Sequence, residues 1–596
     1  MVATEDTPLL GQAPRPARYT SWRHVGLAVL ALAIASCCLT ALVPATPEPA
    51  LDTTLAEFDL IVVGAGPAGS VFASKIVQAT NFTVLLIEAG DASQRELGGE
   101  TFISFHGKEM PYTPFDVPYY WSDVSRLTDY HWNVPNVLIA KALGGCGIHN
   151  AMLYVRALPS DIVAWGLAPT WTWPKALAIY LATEAFAGPK VEHHGYDGIV
   201  QTSAPTQMDG LSNQFLAACT QRGVPTSSDF NAPNERLGAG TYHFNIRHGM
   251  RESAAKAFLG PFIAKKLPEE VHNRLHLWLN TTVERVDLEG GVAKGVFVHT
   301  ANGGTQYIAS KRGVVLTAGA IHTPKLLTLS GVAAANVLEA LDIPVQVDAP
   351  LVGGNLQDHP AIAMTFAASH PLQINFSLAW DDYLETRGGW LSTTGLSAGA
   401  FFASPGRTVP DLQLTFFPRK SEPVWATREP GEEVLFTIAL LSPEARNRVV
   451  VTSKNASEPC RVDSEIPEAA SEHLSEADAR RLLFGIAIVR DLAIAPALAP
   501  LLGGENMPGA ALESDDELVA WVYANVYRNS HWVGSAKMGS DASNSVVSAS
   551  LRVWNTSNLF VADASVIPVI PNGNVHSTVV MVATHAATLI ADAIKA

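Results

Sequence analysis

The chain has 596 residues, 48% of them hydrophobic and 16% charged, which fits a folded protein of two or more domains and excludes a disordered chain. The net charge of −16 and the lack of a basic cluster argue against a nucleic-acid partner, because phosphate recognition needs concentrated Lys and Arg. Five scattered cysteines are too few for a disulfide framework or a zinc site. We expect buried free thiols, with one bridge at most, between Cys219 and Cys460.

An uncharged stretch near the N-terminus, residues 25–45, is long enough to cross a bilayer, which takes about 20 residues. Three arginines precede it and acidic residues follow it, so the positive-inside rule places residues 1–24 in the cytosol. We predict a single-pass membrane protein in which 25–45 is a signal anchor, 46–56 a linker, and the remaining chain lumenal or extracellular. A cleaved signal peptide, which would give a secreted form, is the alternative.

The chain after this anchor carries Asn-X-Ser/Thr sequons, which are acceptors for glycosylation in the lumen. They are Asn81, Asn280, Asn375, Asn455 and Asn555. Chance alone gives a few sequons in a chain of this composition, so they permit a lumenal glycoprotein without requiring one.

The first segment after the linker predicts a parallel βαβ unit. An apolar run breaks into Gly64-Ala-Gly66-Pro-Ala-Gly69 and continues into helix-like residues, and a second apolar run ends in Glu88. Three glycines in this spacing, directly after a strand and followed 19 residues later by an acidic residue, are typical of a dinucleotide site.

Each residue of this pattern has a physical role. Gly64 permits the tight turn, Gly66 lets backbone approach a pyrophosphate at the helix N-terminus, and Gly69 allows close helix packing. The Glu88 carboxylate would bind the adenosine ribose hydroxyls and would repel a 2′-phosphate. The predicted ligand is therefore NAD-like or FAD-like and not NADP.

The rest of the chain alternates between predicted strands, helices and one aromatic region. Residues 274–300 predict strands joined by a Gly290-Gly291 turn, and residues 313–332 predict a strand, a small-residue turn and a helix begun by Thr323-Pro324. Strand returns at 558–571, and a closing helix covers 576–594. Residues 361–520 look like a separate domain that offers an aromatic wall, with Trp380, Trp390, Trp425, Phe401-Phe402 and Phe416-Phe417.

One short motif invites a metal assignment. The segment Glu192–Gly198, EHHGYDG, holds two adjacent histidines, but no further ligands follow at a suitable spacing, and its glycines indicate a surface loop. We therefore predict no metal site.

At this point four stretches, in order along the chain, resemble the glucose-methanol-choline (GMC) oxidoreductases, FAD enzymes that oxidise alcohols. The resemblance runs from about Phe58 to the C-terminus. It implies an α/β fold with a Rossmann-like FAD-binding domain over 57–360 and 521–596, which contains inserted substrate-domain segments. It also implies an interleaved α+β substrate domain over 361–520, in which helices flank an antiparallel sheet. One transmembrane helix precedes both domains. The four stretches are VVGAGPAGSVFA, KALGGCGIHNAMLYVRA, GAIHTPKLLTLSGV with VGGNLQDHP, and SHWVGSAKMG with DASVIPVIPNGNVHSTVVM.

The resemblance also implies the catalytic residues. His531 matches the active-site histidine of the family and Asn574 matches its partner, with His576 a rival for the partner role. Asp563 falls in the C-terminal segment that returns to the flavin. The chain departs from the family where Ile139-Ala140 precede Lys141, in place of the usual Arg-Gly, which concerns local contacts of the flavin loop.

Alcohol oxidation needs such a pair. Hydride leaves the alcohol carbon more easily as the hydroxyl proton is removed, so a base must lie beside that oxygen while flavin N5 faces the carbon. A neutral imidazole can take the proton, and an amide can stabilise the developing alkoxide. We predict His531 as the base, Asn574 as the donor, an alcohol, sugar or choline-like substrate, and reoxidation by oxygen or a quinone-type acceptor.

The stretch GGCGIHN, residues 144–150, is similar to the flavin loop of the choline oxidase and pyranose dehydrogenase type. That resemblance implies a covalent bond from His149 to the 8α carbon of the flavin, with Gly145 and Asn150 beside the ring. The alternative is that His149 packs beside a noncovalent flavin.

Other functions remain open at this stage. The algal fatty acid photodecarboxylases belong to the same family, but Leu396 and Thr415 stand where that branch has a Cys and an Arg, so a carboxylate would lose its cationic partner. Lyase activity within the family is a further alternative. A membrane-anchored flavin-binding protein without turnover would require degenerate catalytic positions, whereas His531 and Asn574 are intact.

Overall fold

The computed structural model describes most of the chain beyond the predicted linker. The predicted cytosolic tail, signal anchor and linker lie outside the described residues, as does Trp425. Within the described part, the helix His576–Lys595 is long and apolar enough to cross a membrane, but 61% of its apolar window is buried inside the protein. That burial is typical of an interior helix. The described residues are 57–100, 110–234, 236–300, 303–369, 374–418, 433–464 and 474–595.

The predicted βαβ unit is confirmed. Strand β1 (Glu57–Val63) leads through the glycine turn into helix α1 (Pro67–Ala79), and strand β2 (Val84–Ile87) pairs with β1 in parallel. The two strands are almost wholly buried, as continuous apolar runs in a parallel sheet should be.

These strands belong to a mixed seven-stranded sheet. Parallel pairs surround β1, and the strands predicted on either side of Gly290-Gly291 add an antiparallel meander at one edge. The short strand predicted near the C-terminus joins the sheet in parallel with Thr305–Leu316. The strands in spatial order are Leu275–Trp278, β2, β1, Thr305–Leu316, Val292–Thr300 and Thr281–Glu289, with Leu559–Val561 beside Thr305–Leu316.

A second seven-stranded sheet is entirely antiparallel, and three helices cover one face of it, Gly210–Gln221, Glu476–Ala493 and Asp515–Asn525. The predicted α+β architecture is therefore confirmed, and the strand Gly238–Thr241 shows that segments before residue 360 contribute to it. The domain bounds at 360 and 521 stay a prediction. The strands are Leu502–Met507, Pro360–Ala368, Glu433–Leu440, Leu412–Phe417, Ala398–Phe402 and Gly238–Thr241 in spatial order, with Tyr527–Arg528 beside Pro360–Ala368.

The remaining elements are shorter and connect or cover the two sheets. The other α-helices are Trp121–Val124, Pro159–Ala164, Trp173–Thr183, Ala254–Ile263, Glu269–His272, Gly319–Leu329, Ala335–Ala340, Phe376–Thr386 and His576–Lys595. The other strands, all in two-stranded pairs, are Leu153–Tyr154, Glu184–Phe186, Val200–Thr202, His243–Phe244, Ile246–Arg247, Met250–Arg251, Val332–Ala333, Val347–Asp348, Asn447–Val450, Arg461–Ser464, Met538–Gly539 and Val547–Ser548.

The predicted start of one helix was wrong. The helix begins at Gly319, so Pro324 lies inside it and cannot donate its backbone nitrogen to the carbonyl of Ala320. The hydroxyl of Ser535 donates to that carbonyl instead, at 2.5 Å. The Asp563 carboxylate accepts the Gly319 N–H at 2.8 Å, and these two tertiary contacts satisfy the backbone groups that Pro324 and the helix start leave open.

The predicted aromatic wall was also largely wrong. Trp380 lies in a buried aromatic cluster, while Phe401 and Phe416 face the interiors on either side of the antiparallel sheet. Phe417 faces the opposite way from Phe416, because successive side chains of a strand alternate between the two faces. Cys219 and Cys460 are buried free thiols, as expected.

Candidate functional site

A cavity of about 580 Å³ opens between the glycine turn after β1 and the antiparallel sheet. It also meets the loop 144–150, the start of helix Gly319–Leu329 and the segment after Tyr527–Arg528. Every residue proposed for the site from the sequence lines it, apart from Gly69. Those lining residues are Gly64, Gly66, Glu88, Gly145, His149, Asn150, His531, Asp563 and Asn574.

The glycine turn is shaped by close backbone approach. Gly64 has a φ of +101°, and a Cβ on Gly69 would lie 1.9 Å from the Gly64 carbonyl oxygen, so helix α1 can pack here only with glycine. A Cβ on Gly145 would lie 2.7 Å from the Cα of Gly66. The loop 144–150 therefore rests directly on the turn, and the Gly144 N–H donates to the Ala65 carbonyl at 2.9 Å.

Glu88 lies at the end of β2 and stabilises this turn. Its carboxylate accepts the N–H groups of Ala65 and Gly90, both at 2.9 Å. Burial raises its pKa to about 7. Each carboxylate oxygen accepts one protein N–H and retains a second lone pair, which is what two ribose hydroxyls require.

The loop 144–150 is held by an arginine that the sequence reasoning missed. Arg251 is fully buried, and its guanidinium donates to the Asn150 carbonyl at 2.7 Å and to the Asn150 side-chain oxygen at 2.8 Å. The same guanidinium donates to the carbonyls of Phe115 and Gly147. Asn150 thus acts as a structural anchor of the loop.

Two histidines facing the cavity have unsatisfied ring nitrogens. Nδ1 of His149 and both ring nitrogens of His576 are buried and have no hydrogen-bond partner within the protein. Burial, with His131 and Arg251 nearby, lowers the pKa of His149 to about 3, and burial lowers that of His576 to about 4. Both rings are therefore neutral, and a buried polar atom without a partner points to a ligand.

The catalytic histidine predicted from the resemblance lies beside a second histidine. Strand Tyr527–Arg528 pairs antiparallel with the start of Pro360–Ala368, which brings His531 next to His359. Their Nδ1 atoms are 2.9 Å apart. The carboxylate of Asp358 accepts the backbone N–H groups of His531 at 2.6 Å and His359 at 2.8 Å, which fixes the spacing of the two rings.

The hydrogen bonds decide which nitrogen of His531 carries its proton. Nε2 of His359 lies 3.1 Å from the Pro571 carbonyl and must donate to it, since a carbonyl only accepts. Burial lowers the pKa of both rings, that of His531 to about 4, so each holds a single proton. Nδ1 of His359 is then an acceptor, His531 donates from Nδ1, and Nε2 of His531 is unprotonated.

Asn574 completes this arrangement. Its Nδ2 lies 3.3 Å from Nε2 of His531, and its side-chain oxygen accepts a hydrogen bond from Gln413 at 3.2 Å. The backbone and side-chain nitrogens of Asn572, in the same loop, both donate to Asp161, at 3.0 and 2.8 Å. Contacts from distant segments thus position an asparagine that lies 43 residues after its histidine partner. Asn529 Nδ2 also lies 3.4 Å from Nδ1 of His531, and rotation of its amide would turn its oxygen toward that proton.

Asp563 has a structural role at the edge of the cavity. Its carboxylate accepts hydrogen bonds from Gly319, Thr323 and Ser565, and burial raises its pKa. It therefore ties the end of strand Leu559–Val561 to the helix that begins at Gly319.

Comparison with known proteins identifies the family. The family model for GMC oxidoreductases matches residues 58–361 in its N-terminal part and 443–583 in its C-terminal part. An alcohol dehydrogenase [acceptor] of Pseudomonas putida is 31% identical over 551 residues, covering 89% of this chain and 95% of that protein. The oxygen-dependent choline dehydrogenase of Vibrio vulnificus is 30% identical over 549 residues, covering 90% and 94%.

The chain belongs to the GMC oxidoreductase family.

Solved structures show the same fold. Pyridoxine 4-oxidase from Mesorbium loti superposes with a TM-score of 0.75 at 24% identity, over 89% of this chain and 98% of that one. A variant of formate oxidase from Aspergillus oryzae RIB40 superposes with a TM-score of 0.78 at 21% identity, over 90% and 98%. At these identities the superpositions support the fold alone.

FAD is the cofactor of this GMC oxidoreductase, and the cavity residues fit it. The glycine turn and the N-terminus of α1 suit the pyrophosphate, and Glu88 suits the ribose. His149 and His576 supply neutral, unpaired ring nitrogens where the isoalloxazine would approach the loop 144–150.

The histidine pair of the EHHGYDG motif lies away from this cavity, in an ion-pair network. His194 is buried between Glu184 and Asp229, at 2.8 and 2.7 Å, and His193 also contacts Asp229 at 2.8 Å. Arg156 forms a buried ion pair with Glu184 at 2.5 Å. Hydrogen bonds to both carboxylates raise the pKa of His194 despite its burial.

Sequence reasoning missed Arg251, His359 and Gln413 as members of the site. His359 stands in the NLQDHP stretch, so a signal for it was present, whereas Arg251 and Gln413 carry none that a single sequence reveals. Each acts through a contact with a residue more than 100 positions away.

Proposed function

We propose that this GMC oxidoreductase oxidises the CH–OH group of an alcohol to a carbonyl and passes the electrons to oxygen or a quinone-type acceptor. The observation that carries the proposal is the His531–Asn574 pair, in which an unprotonated imidazole nitrogen and an amide donor lie 3.3 Å apart in the FAD cavity. The names of the relatives, an alcohol dehydrogenase and a choline dehydrogenase, support the same class of reaction.

The two side chains have distinct roles in this proposal. Nε2 of His531 accepts the hydroxyl proton, and Nδ2 of Asn574 donates a hydrogen bond to the oxygen as its negative charge develops. Gln413 holds the oxygen of the Asn574 amide, so the donor side of that amide stays turned toward His531. FAD, when bound, supplies the hydride acceptor.

We also propose that His149 is bonded covalently to the 8α carbon of the flavin. Its ring is neutral and buried and carries an unpaired Nδ1, as an imidazole nucleophile must. The new C–N bond replaces a C–H bond at the 8α carbon. Two protons, one from the 8α carbon and one from the imidazole N–H, go to solvent, and the two electrons go to the acceptor that reoxidises the enzyme.

The alternative reactions have less support. Leu396 and Thr415 both line the cavity, so the positions that hold a Cys and an Arg in the photodecarboxylase branch here offer an apolar and a neutral side chain. A fatty-acid carboxylate would find no cation from these two residues. A binding protein without turnover would leave the His531–Asn574 contact unexplained.

Anaerobic flavin reduction tests the proposed oxidation. A panel of alcohols, sugars and choline is mixed with the purified holoenzyme, and bleaching of the flavin absorbance is followed. We expect at least one alcohol to bleach the flavin, and His531→Ala to slow bleaching about 10²- to 10⁴-fold at unchanged FAD content. His299→Ala, an exposed histidine, is the matched control. Equal rates for His531→Ala and the wild type would disprove the role of His531.

We further propose that the catalytic body is lumenal or extracellular, anchored through residues 25–45. The asparagines of all five sequons are exposed, which lets glycosyltransferases reach them. After expression in a eukaryotic host, treatment with an N-glycosidase should lower the apparent mass of the full chain. The protein should sediment with the membrane fraction and be released from it by detergent. A cytosolic protein of unchanged mass would contradict this placement.

A further inference from the structure

One wall of the cavity is formed by three neighbouring strands of the antiparallel sheet. Along Leu412–Phe417, the residues Leu412, Leu414 and Phe416 pack into the hydrophobic core, and the intervening residues face the cavity. The strand Glu433–Leu440 alternates in the same way. The cavity face of the three strands consists of Ala361, Gln413, Thr415, Phe417, Leu435, Thr437 and Ala439.

The strand register arranges this wall in rows. Gln413 lies opposite Ala439, which lies opposite Ala361, and Gln413 also contacts Asn574. The next row pairs Thr415 with Thr437.

The third row pairs Phe417 with Leu435. Alternate residues of a strand are about 7 Å apart, so this apolar row lies about 14 Å from the row beside the catalytic pair. Going away from Asn574, the wall changes from an amide, through two hydroxyls, to an apolar end.

The charges around the cavity do not suit a cationic substrate. Among the described lining residues the acidic side chains are Glu88 and Asp563, and both carboxylates already accept backbone N–H groups, from Ala65 and Gly319. The residue next to the catalytic segment that lines the cavity, Arg528, is itself a cation and would repel a cationic substrate.

Protein cations already contact two of the tryptophan rings in the lining. Of the three tryptophans in the lining, Trp532 has the Arg528 guanidinium 5.0 Å from its ring centroid, and Trp132 has the Lys141 ammonium at 5.1 Å. A quaternary ammonium is bound by open aromatic faces or by a carboxylate. A protein cation therefore covers one face of two of these three rings.

From this wall we infer that the substrate is an uncharged alcohol with an extended apolar body, and that a choline-like cation is a poor substrate. The inference rests on the proposed alcohol oxidation and deepens it. The hydroxyl-bearing carbon lies at His531 and Asn574, the body runs along the strands past Thr415 and Thr437, and its end contacts Phe417 and Leu435. Thr415 and Thr437 can hydrogen-bond to a neutral polar group in the middle of the body if the substrate carries one.

The test compares 1-butanol, 1-octanol, 1-dodecanol and choline as reductants of the wild-type holoenzyme without oxygen. We expect kcat/KM to rise about three- to fourfold for each added methylene, which is the effect of burying one methylene group. Choline should fall at least 100-fold below 1-octanol. Choline at or above the rate of 1-octanol would overturn the inference and leave the alcohol oxidation standing.

A variant in the apolar row supplies the second arm. Leu435→Ala should lower kcat/KM for 1-dodecanol about tenfold and leave 1-butanol within twofold, since the shorter alcohol ends before this row. Equal losses for both alcohols would contradict the placement of the body. If FAD-loaded protein is reduced by none of these alcohols, by no sugar of the wider panel and not by choline, the proposed oxidation itself is wrong, and this inference with it. Reduction by a sugar alone would overturn only the inference.

Discussion

Nδ1 of His359 and Nδ1 of His531 lie 2.9 Å apart, and the bond from His359 to the Pro571 carbonyl makes His359 the acceptor of the pair. His531 must then carry its proton on Nδ1 and present Nε2, unprotonated, toward Asn574. A neighbouring histidine that never meets the substrate thereby sets the tautomer of the proposed base.

The first prediction concerns this positioning residue. His359→Leu removes the acceptor and frees His531 to protonate on Nε2, so we expect kcat for flavin reduction to fall about 10- to 100-fold, with KM within threefold. His359→Asn keeps an oxygen near the position of Nδ1 and should recover most of the rate. The reductive half-reaction in a stopped-flow instrument measures both. Equal losses in the two variants would indicate a packing role only.

The second prediction concerns pH. Burial lowers the pKa of His531 to about 4, so its ring stays neutral, and able to accept a proton, down to about that pH. We expect flavin reduction to change less than twofold between pH 8 and pH 6, and the acid limb of His531 to lie well below pH 6.5. A histidine of ordinary pKa would lose most of its neutral form by pH 5.5.

The titration of Asp358 must be distinguished from the acid limb that belongs to His531. It accepts the His531 N–H, and burial raises its pKa to about 6, so its protonation can perturb the site as the pH falls. The profile is therefore recorded for the wild type and for Asp358→Asn. An acid limb near pH 6.5 that persists in Asp358→Asn would refute the lowered pKa of His531.

The third prediction concerns the flavin tether. Acid-precipitated wild-type protein should stay yellow, and His149→Ala should release its FAD into the supernatant under the same treatment. His131→Ala, a half-buried histidine whose ring centroid lies 5.5 Å from that of His149, is the matched control and should keep its flavin. A colourless wild-type pellet would rule out the covalent bond and would leave the proposed alcohol oxidation unaffected.

The fourth prediction concerns stability. Ser535→Ala leaves the Ala320 carbonyl, which Pro324 cannot serve, without a donor in a buried place. We expect the free energy of unfolding to fall by about 1–3 kcal/mol, the usual cost of one buried unsatisfied polar group. Urea denaturation followed by tryptophan fluorescence measures it. Ser543→Ala, at an exposed position, should change the free energy by less than 0.5 kcal/mol in the same assay. A loss for Ser535→Ala no larger than that of the control would show that the carbonyl finds another donor.

The sequence alone determined the features that rest on local patterns. The βαβ unit, the Gly290-Gly291 turn and the closing helix follow from apolar periodicity and glycine positions over a few residues, and the structure confirms all three. The family and its cofactor followed from four motifs in order. His531 and Asn574 came from that resemblance, because a histidine and an asparagine 43 residues apart carry no signal of their own.

Only the tertiary structure decided how these residues contact one another. Composition suggested an aromatic wall, but the two-residue period of the strands turns Phe416 into the core and leaves Phe417 on the cavity side. Pro324 predicted a helix start, because proline is common in the first turn of a helix. In the structure the hydroxyl of Ser535, 215 residues away in the sequence, donates to the Ala320 carbonyl that Pro324 cannot reach, and the helix begins earlier. The tautomer of His531 likewise depends on strand pairing that brings His359 beside it. Hydrogen bonds between distant segments form only in the folded chain, so no local pattern can reveal them.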